Sequence, residues 1–152
     1  MSSPSRTLAL LQRHTGLWEG RYTHVVPPDW NLVSTQDYRI QVETFAPGPI
    51  VYRQTSHYRR TDGHTDTLRY EGALRNDDDR VVFEDGRIRG ECWAIERDTL
   101  YMWFVYAKSP DHRITEMIQL SSDGAHRART WHWFERERLV KLTLVDERRV
   151  AG

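Results

Sequence analysis

Hydrophobic and polar residues alternate with a period of two along nearly the whole chain. In the run 17–26, Trp18, Gly20, Tyr22 and His24 share one parity, and Leu17, Glu19, Arg21 and Thr23 share the other. Similar runs rich in β-formers cover 32–45, 50–60, 65–74, 80–84, 87–96, 99–107, 114–121, 126–134 and 139–145. Turn-forming residues separate them: Pro27, Pro28 and Asp29; residues 46–49; Thr61, Asp62 and Gly63; residues 76–79; Asp85 and Gly86; residues 108–112; and Ser122, Asp123 and Gly124. The pattern predicts about ten strands in an all-β, up-and-down antiparallel barrel. No helical crossover is present to join parallel strands. Only the segment 5–15 reads as helix, with Leu8, Leu10 and Leu11 apolar, Ser3 or Ser5 as N-cap and Gly16 as the stop. So short a helix needs a surface to pack on, and the open end of the barrel offers one. No linker or repeat divides the chain, so one domain is expected over 1–152, with the barrel at about 16–148.

Composition narrows the class. The 152 residues carry 22 Lys plus Arg against 22 Asp plus Glu, a net charge of zero. That argues against a general nucleic-acid binder, which neutralises phosphates with a basic surface. The apolar stretch 99–107 is nine residues long, whereas a membrane helix needs about 20. The first residues lack the long apolar run of a secretory signal. One cysteine, Cys92, makes no internal disulfide. A cytoplasmic protein, monomer or homodimer, is the expectation, with no membrane or nucleic-acid partner.

Six Trp and seven Tyr supply burial that the aliphatic residues do not. In 99–107 both parities are apolar, and in 126–134 both carry rings. Such strands predict an aromatic lumen and an outer wall that packs on something, a second subunit being one option. A barrel of this strand number leaves room for one small ligand. The expected partner is therefore a small apolar or aromatic molecule, with Tyr22, His24, Tyr52, Gln54, Trp103, Met117 and Trp131 as candidate contacts.

Chemistry is expected from carboxylates and histidines. Glu91 and Glu116 are lone charges within apolar strands. Each either faces water or is held inside by a cation, with Arg129 as the candidate partner. A desolvated glutamate in an aromatic site can move protons near neutral pH. His132 and His24 lie within strands, while the spacing of the histidines shows neither His-x-His nor His-x3-His, so no metal site is expected. Cys92 has no activating base nearby and reads as a small buried residue. Phosphate-cradling and nucleophile-elbow motifs are absent. Arg148 and Arg149 read as a solvated strand end.

The segment Gly16-Leu17-Trp18-Glu19-Gly20 after a short helix resembles the start of calycins (lipocalins, fatty-acid-binding proteins, nitrobindins and bilin lyases). The stretch from Glu116 to Val150, with His126-Arg127-Ala128-Arg129-Thr130-Trp131 at its centre, is similar to the ending of a poorly characterised bacterial calycin-like family. The resemblance implies a barrel with Trp18 at the closed end, covered by Arg127 or Arg129 through cation–π stacking and hydrogen bonds to the helix carbonyls. A nitrobindin-like protein would hold haem on one histidine, for which His132 is the candidate. The chain departs from that pattern at Tyr22, where nitrobindins favour glycine, and it has no assignable bilin-handling motif. No cofactor is expected. The concrete expectation is a cofactor-free cyclase or isomerase of a natural-product intermediate. Glu116, Glu91 or His132 would move protons and Arg129 would hold an enolate or carboxylate. A non-catalytic carrier and a haem protein are the alternatives.

Overall fold

The alternating runs close on one another. The computed structural model describes residues 4–59 and 62–150. Among these, a single helix α1 (Arg6–Arg13) precedes ten strands: β1 (Gly16–Val26), β2 (Asn31–Thr44), β3 (Tyr52–Arg59), β4 (Thr65–Arg75), β5 (Arg80–Glu84), β6 (Ile88–Ala94), β7 (Thr99–Tyr106), β8 (Ser109–Leu120), β9 (His126–Glu135) and β10 (Arg138–Val150). Each strand pairs antiparallel with its chain neighbours, and β10 returns to β1, leaving no free edge. Between bulges, one parity of each strand fills the interior. Trp18, Ile40, Val42, Val81 and Ile114 are fully buried there. Ser3, Arg60 and Thr61 lie outside the described residues.

Helix α1 closes one end because its first turn is pinned. The Ser5 hydroxyl accepts the Leu8 N–H at 2.9 Å. Asp79, in the left-handed conformation (φ 56°), accepts the N–H groups of Arg6 and Thr7 at 3.1 and 3.2 Å. Its negative charge at the helix N-terminus complements the dipole. The Thr7 hydroxyl donates to the Asp79 carbonyl at 2.7 Å and accepts the Ala94 N–H at 3.0 Å. These bonds tie α1 to the start of β5 and the end of β6, and turn Leu10 and Leu11 into the barrel.

Three sequence expectations are corrected. Strand β10 continues to Val150 instead of stopping near 145, because Leu17 to Val25 of β1 pair with Val150 to Leu142. Strand β8 begins at Ser109, within the segment read as a loop. Leu32 shares its numerical parity with Tyr38, Ile40 and Val42, yet it is 63% exposed. A β-bulge at His24/Val25 sets Leu32 opposite Val25, and one extra residue flips a strand's facing.

On the outer wall, two of the aromatic rings meet arginines of the same chain: Arg80 lies 3.8 Å from the Trp93 ring centre and Arg113 lies 5.4 Å from that of Trp103. Among the described residues no helix is long and apolar enough to cross a membrane.

Gly90 sits where β6 and β7 leave no room for a side chain. A Cβ there would stand 2.2 Å from the Trp103 carbonyl oxygen and 2.6 Å from the Phe104 Cβ. Gly90→Ala is expected to cost about 1–3 kcal/mol by overpacking, read as a lower urea midpoint with an unchanged slope. A midpoint equal to the parent's would show that β6 and β7 can separate freely.

Candidate functional site

Inside the ring lies a cavity of about 290 Å³. Its floor is Leu11, His14, Leu100 and Arg127, at the end plugged by α1. Tyr52, Phe83, Phe104, Glu116, Arg129 and Trp131 surround its middle. Toward the other end stand His24, Tyr58, Tyr70, Tyr106, Trp133 and Lys141. The rings interlock. Tyr22 stacks on Tyr38 with centroids 4.0 Å apart and lies 5.2 Å from Trp131. Burial pushes the Tyr22 hydroxyl well above the usual phenol range, so it stays protonated.

A charged ladder runs up the side formed by β8, β9 and β10. The Arg127 Nη1 donates to His14 Nδ1 at 3.3 Å and its Nη2 to Glu147 Oε2 at 2.6 Å. Arg129 Nη1 donates to Glu147 Oε1 at 2.8 Å, and its Nε to Glu116 Oε2 at 2.6 Å. All of these side chains are buried. Two guanidiniums face two carboxylates, the balance that buried charges require. Burial alone would raise the pKa of Glu147, but Arg127 and Arg129 outweigh it and hold the carboxyl below its ordinary value. Glu116 Oε2 also accepts the Trp131 indole N–H. Its other oxygen, Oε1, accepts no hydrogen bond from a described side chain or backbone N–H. The carboxylate is thus anchored by one oxygen, with the second available at the cavity wall.

Toward the open end, the Trp133 indole donates to Thr143 Oγ1 at 2.8 Å, and the same hydroxyl meets His24 Nδ1 at 2.8 Å. Thr143 is fully buried, and His24 gives its hydroxyl proton an acceptor. Desolvation, followed by the charge of Lys141, lowers the His24 pKa. Tyr52 donates to Gln54 Oε1 at 2.8 Å, and Gln54 Nε2 donates to Ser56 at 3.2 Å.

Seven of the residues selected from sequence line this cavity: Tyr22, His24, Tyr52, Gln54, Glu116, Arg129 and Trp131. Four do not, and their expected placement is corrected. Trp103 and Met117 each stand one residue from an inward side chain, Phe104 and Glu116, so alternation puts them outside. Glu91 is on the outer wall, where it accepts from Arg80 at 3.1 Å and Trp103 Nε1 at 3.2 Å and pairs with Arg75. His132 follows inward-facing Trp131 and stacks outside on Phe134. It offers no axial ligand to the lumen, so the haem expectation loses its candidate residue. Among the described residues no cluster of three His, Cys, Asp or Glu is placed to hold a metal.

The cover over Trp18 is also redistributed. Arg127 stacks 4.9 Å from the Trp18 ring centre, while Arg129 stacks on Trp131 at 5.1 Å. The bonds to helix carbonyls come from Arg149, which lies 4.4 Å from Trp18 and donates to Arg13 O at 2.8 Å and to Thr15 O. Sequence reasoning missed Glu147, His14 and Lys141. Glu147 had a signal, since it sits two residues beyond Val145 on the same parity. Cys92 is buried, and burial pushes its thiol up.

No protein-family model matches the chain, and no curated protein matches it in sequence. Solved structures do match in shape. The S-type phycobiliprotein lyase CPES of Guillardia theta superimposes with a TM-score of 0.73 at 14% identity, covering 95% of this chain and 92% of the lyase. A protein of unknown function from the DUF3598 family of Nostoc punctiforme gives 0.70 at 16% identity over 92% of this chain. The chain spans 49% of that protein's length. A Mycobacterium tuberculosis protein gives 0.59 at 13% identity, covering 99% of this chain and all of that one. The shared feature is the fold, here an up-and-down antiparallel β-barrel.

Proposed function

We propose that this calycin barrel encloses one small, largely aromatic or apolar molecule in its lumen. The observation that carries the reading is the 290 Å³ cavity, walled by aromatic rings around an anchored carboxylate–guanidinium pair. Ligand sites combine mostly apolar walls with a few fixed polar groups in this way. Titration with 2-naphthol is expected to quench the fluorescence of lumen tryptophans Trp131 and Trp133 to a plateau. Ligand at about 100 times its Kd should add about 2.7 kcal/mol of stability. Met102→Trp, which fills the lumen, should abolish both effects. Quenching that never saturates, in a protein whose stability does not change, would sink the reading.

The unbonded Oε1 of Glu116 favours a second, finer reading: a cofactor-free isomerase or cyclase acting on an intermediate of natural-product type. Here Oε1 takes a proton from one carbon and returns it to another, while Arg129 stabilises the enolate between. Arg129 and Trp131 hold Oε2 and so fix the direction in which Oε1 points. Glu116→Gln keeps the shape and removes the proton acceptor. Turnover should fall by about 10²–10⁴-fold with 2-naphthol binding retained. A carrier would show the same binding and no turnover in either form.

A further inference from the structure

The chain contains twenty arginines and only two lysines, Lys108 and Lys141. Lys108 is exposed between β7 and β8. Lys141 lines the cavity. Its position is built. A β-bulge between Leu139 and Lys141 shifts the register of β10 so that Lys141 pairs with Trp133, and bulges characteristically re-aim side chains beside sites. The Lys141 Nζ lies 4.0 Å from the Trp133 ring centre. No carboxylate of the described residues comes within ion-pair distance of it. Two residues further in, Thr143 joins Trp133 to His24. Burial lowers the Lys141 pKa, raising the share of free amine.

Cation choice distinguishes this position. The ladder below uses arginine to hold carboxylates, for which a planar, permanently charged fork suits. An anion at the mouth could be held in that way too. What a lysine adds is an amine that can lose its proton and attack a carbonyl carbon, and desolvation against an apolar wall activates it. We propose that Lys141 captures an aldehyde or ketone ligand as an imine at the mouth of the lumen. This rests on the lumen-binding reading above and narrows its ligand class to carbonyl compounds. The ammonium first releases a proton to water at the mouth. The nitrogen lone pair then forms a bond to the carbonyl carbon as the C=O π pair moves to oxygen. The carbinolamine loses that oxygen as water, taking two protons, and leaves a C=N bond. No oxidant or reductant is consumed.

The test is reductive trapping of the intact chain with 2-naphthaldehyde and sodium cyanoborohydride, whose hydride converts the imine to a stable secondary amine. Intact mass and peptide mapping should show one naphthylmethyl group, on Lys141, gained at least about tenfold faster than on Lys108 through the proximity that binding confers. Excess 2-naphthalenemethanol, which fits the lumen but has no carbonyl, should suppress it. Lys141→Arg should lose the adduct while the alcohol still quenches tryptophan fluorescence. Equal rates at the two lysines would overturn the inference. So would saturable binding of the alcohol with no trapping at Lys141, and in that case the lumen reading stands. If neither compound quenches, the lumen reading falls and the imine falls with it.

Discussion

Replacing Glu147 by alanine is expected to destabilise the protein by about 3–5 kcal/mol, the cost of removing one partner from a buried ion pair. The side chain is fully buried and bonded to Arg127 at 2.6 Å and Arg129 at 2.8 Å. Without it, two guanidiniums remain in the interior with only Glu116 to balance them. Gly20 is packed directly against this side chain: a Cβ there would lie 2.7 Å from the Glu147 Cγ and from the Tyr38 hydroxyl, so truncation also leaves a void. In a chain of this length the loss corresponds to a fall in Tm of about 6–20 °C. Removing one stranded cation as well should recover part of it, so the double variant Glu147→Ala/Arg127→Met should be more stable than the sum of its single variants. Urea unfolding near neutral pH measures all three. A loss below about 1 kcal/mol for Glu147→Ala would place the ladder among pairs that contribute little, and the anchoring of Glu116 through Arg129 would need another cause.

The ring of strands was legible because its cause is local. A period of two and the turn residues between runs require nothing beyond the chain itself, and the helix at 5–15 announces its cap and stop. Which residues face inward was not local. In β7 and β9 both parities carry rings, so alternation alone allowed either facing. Glu91 and Glu116 have equivalent surroundings in sequence, yet one meets arginines on the outer wall and the other meets Arg129 inside. Only closure of the sheet fixes that choice. Bulges add a second source of error, since each inverts the parity beyond it: Leu32 went outward and Lys141 acquired its place opposite Trp133. The polar end of β10 looked like a solvated tail because its charges find partners far away in the chain. Glu147 meets Arg127 and Arg129, and Arg149 reaches back to residues 13 and 15. Fold class came from spacing, whereas the site came from contacts that spacing does not encode.

Acid should loosen the barrel well before its carboxylates titrate, and His14 is the reason. Its imidazole is 1% exposed at the cavity floor. Nδ1 faces Arg127 Nη1 at 3.3 Å, and arginine can only donate, so the ring is neutral with its proton on Nε2. Burial, then the charges of Arg127, Arg13, Arg149 and Arg129, lowers the pKa from 6.5 to about 2. The unfolded chain takes up a proton near pH 6.5 that the folded one refuses, so stability falls as pH drops below about 6.5. The limiting slope for one such group is about 1.4 kcal/mol per pH unit, or roughly 2–3 kcal/mol by pH 4.5. His24 acts in the same direction. Glu147, whose pKa is lowered, contributes stability above its unfolded pKa and loses it only as pH falls below about 4.5, so the two effects occupy different windows. Urea unfolding at a series of pH values between 6.5 and 4.5 should show the decline in the parent. His14→Gln should show a flatter one, whatever its absolute stability. Parallel slopes in the two proteins would mean that His14 accepts its proton in the folded state, and that the floor of the lumen is open enough for water to reach it.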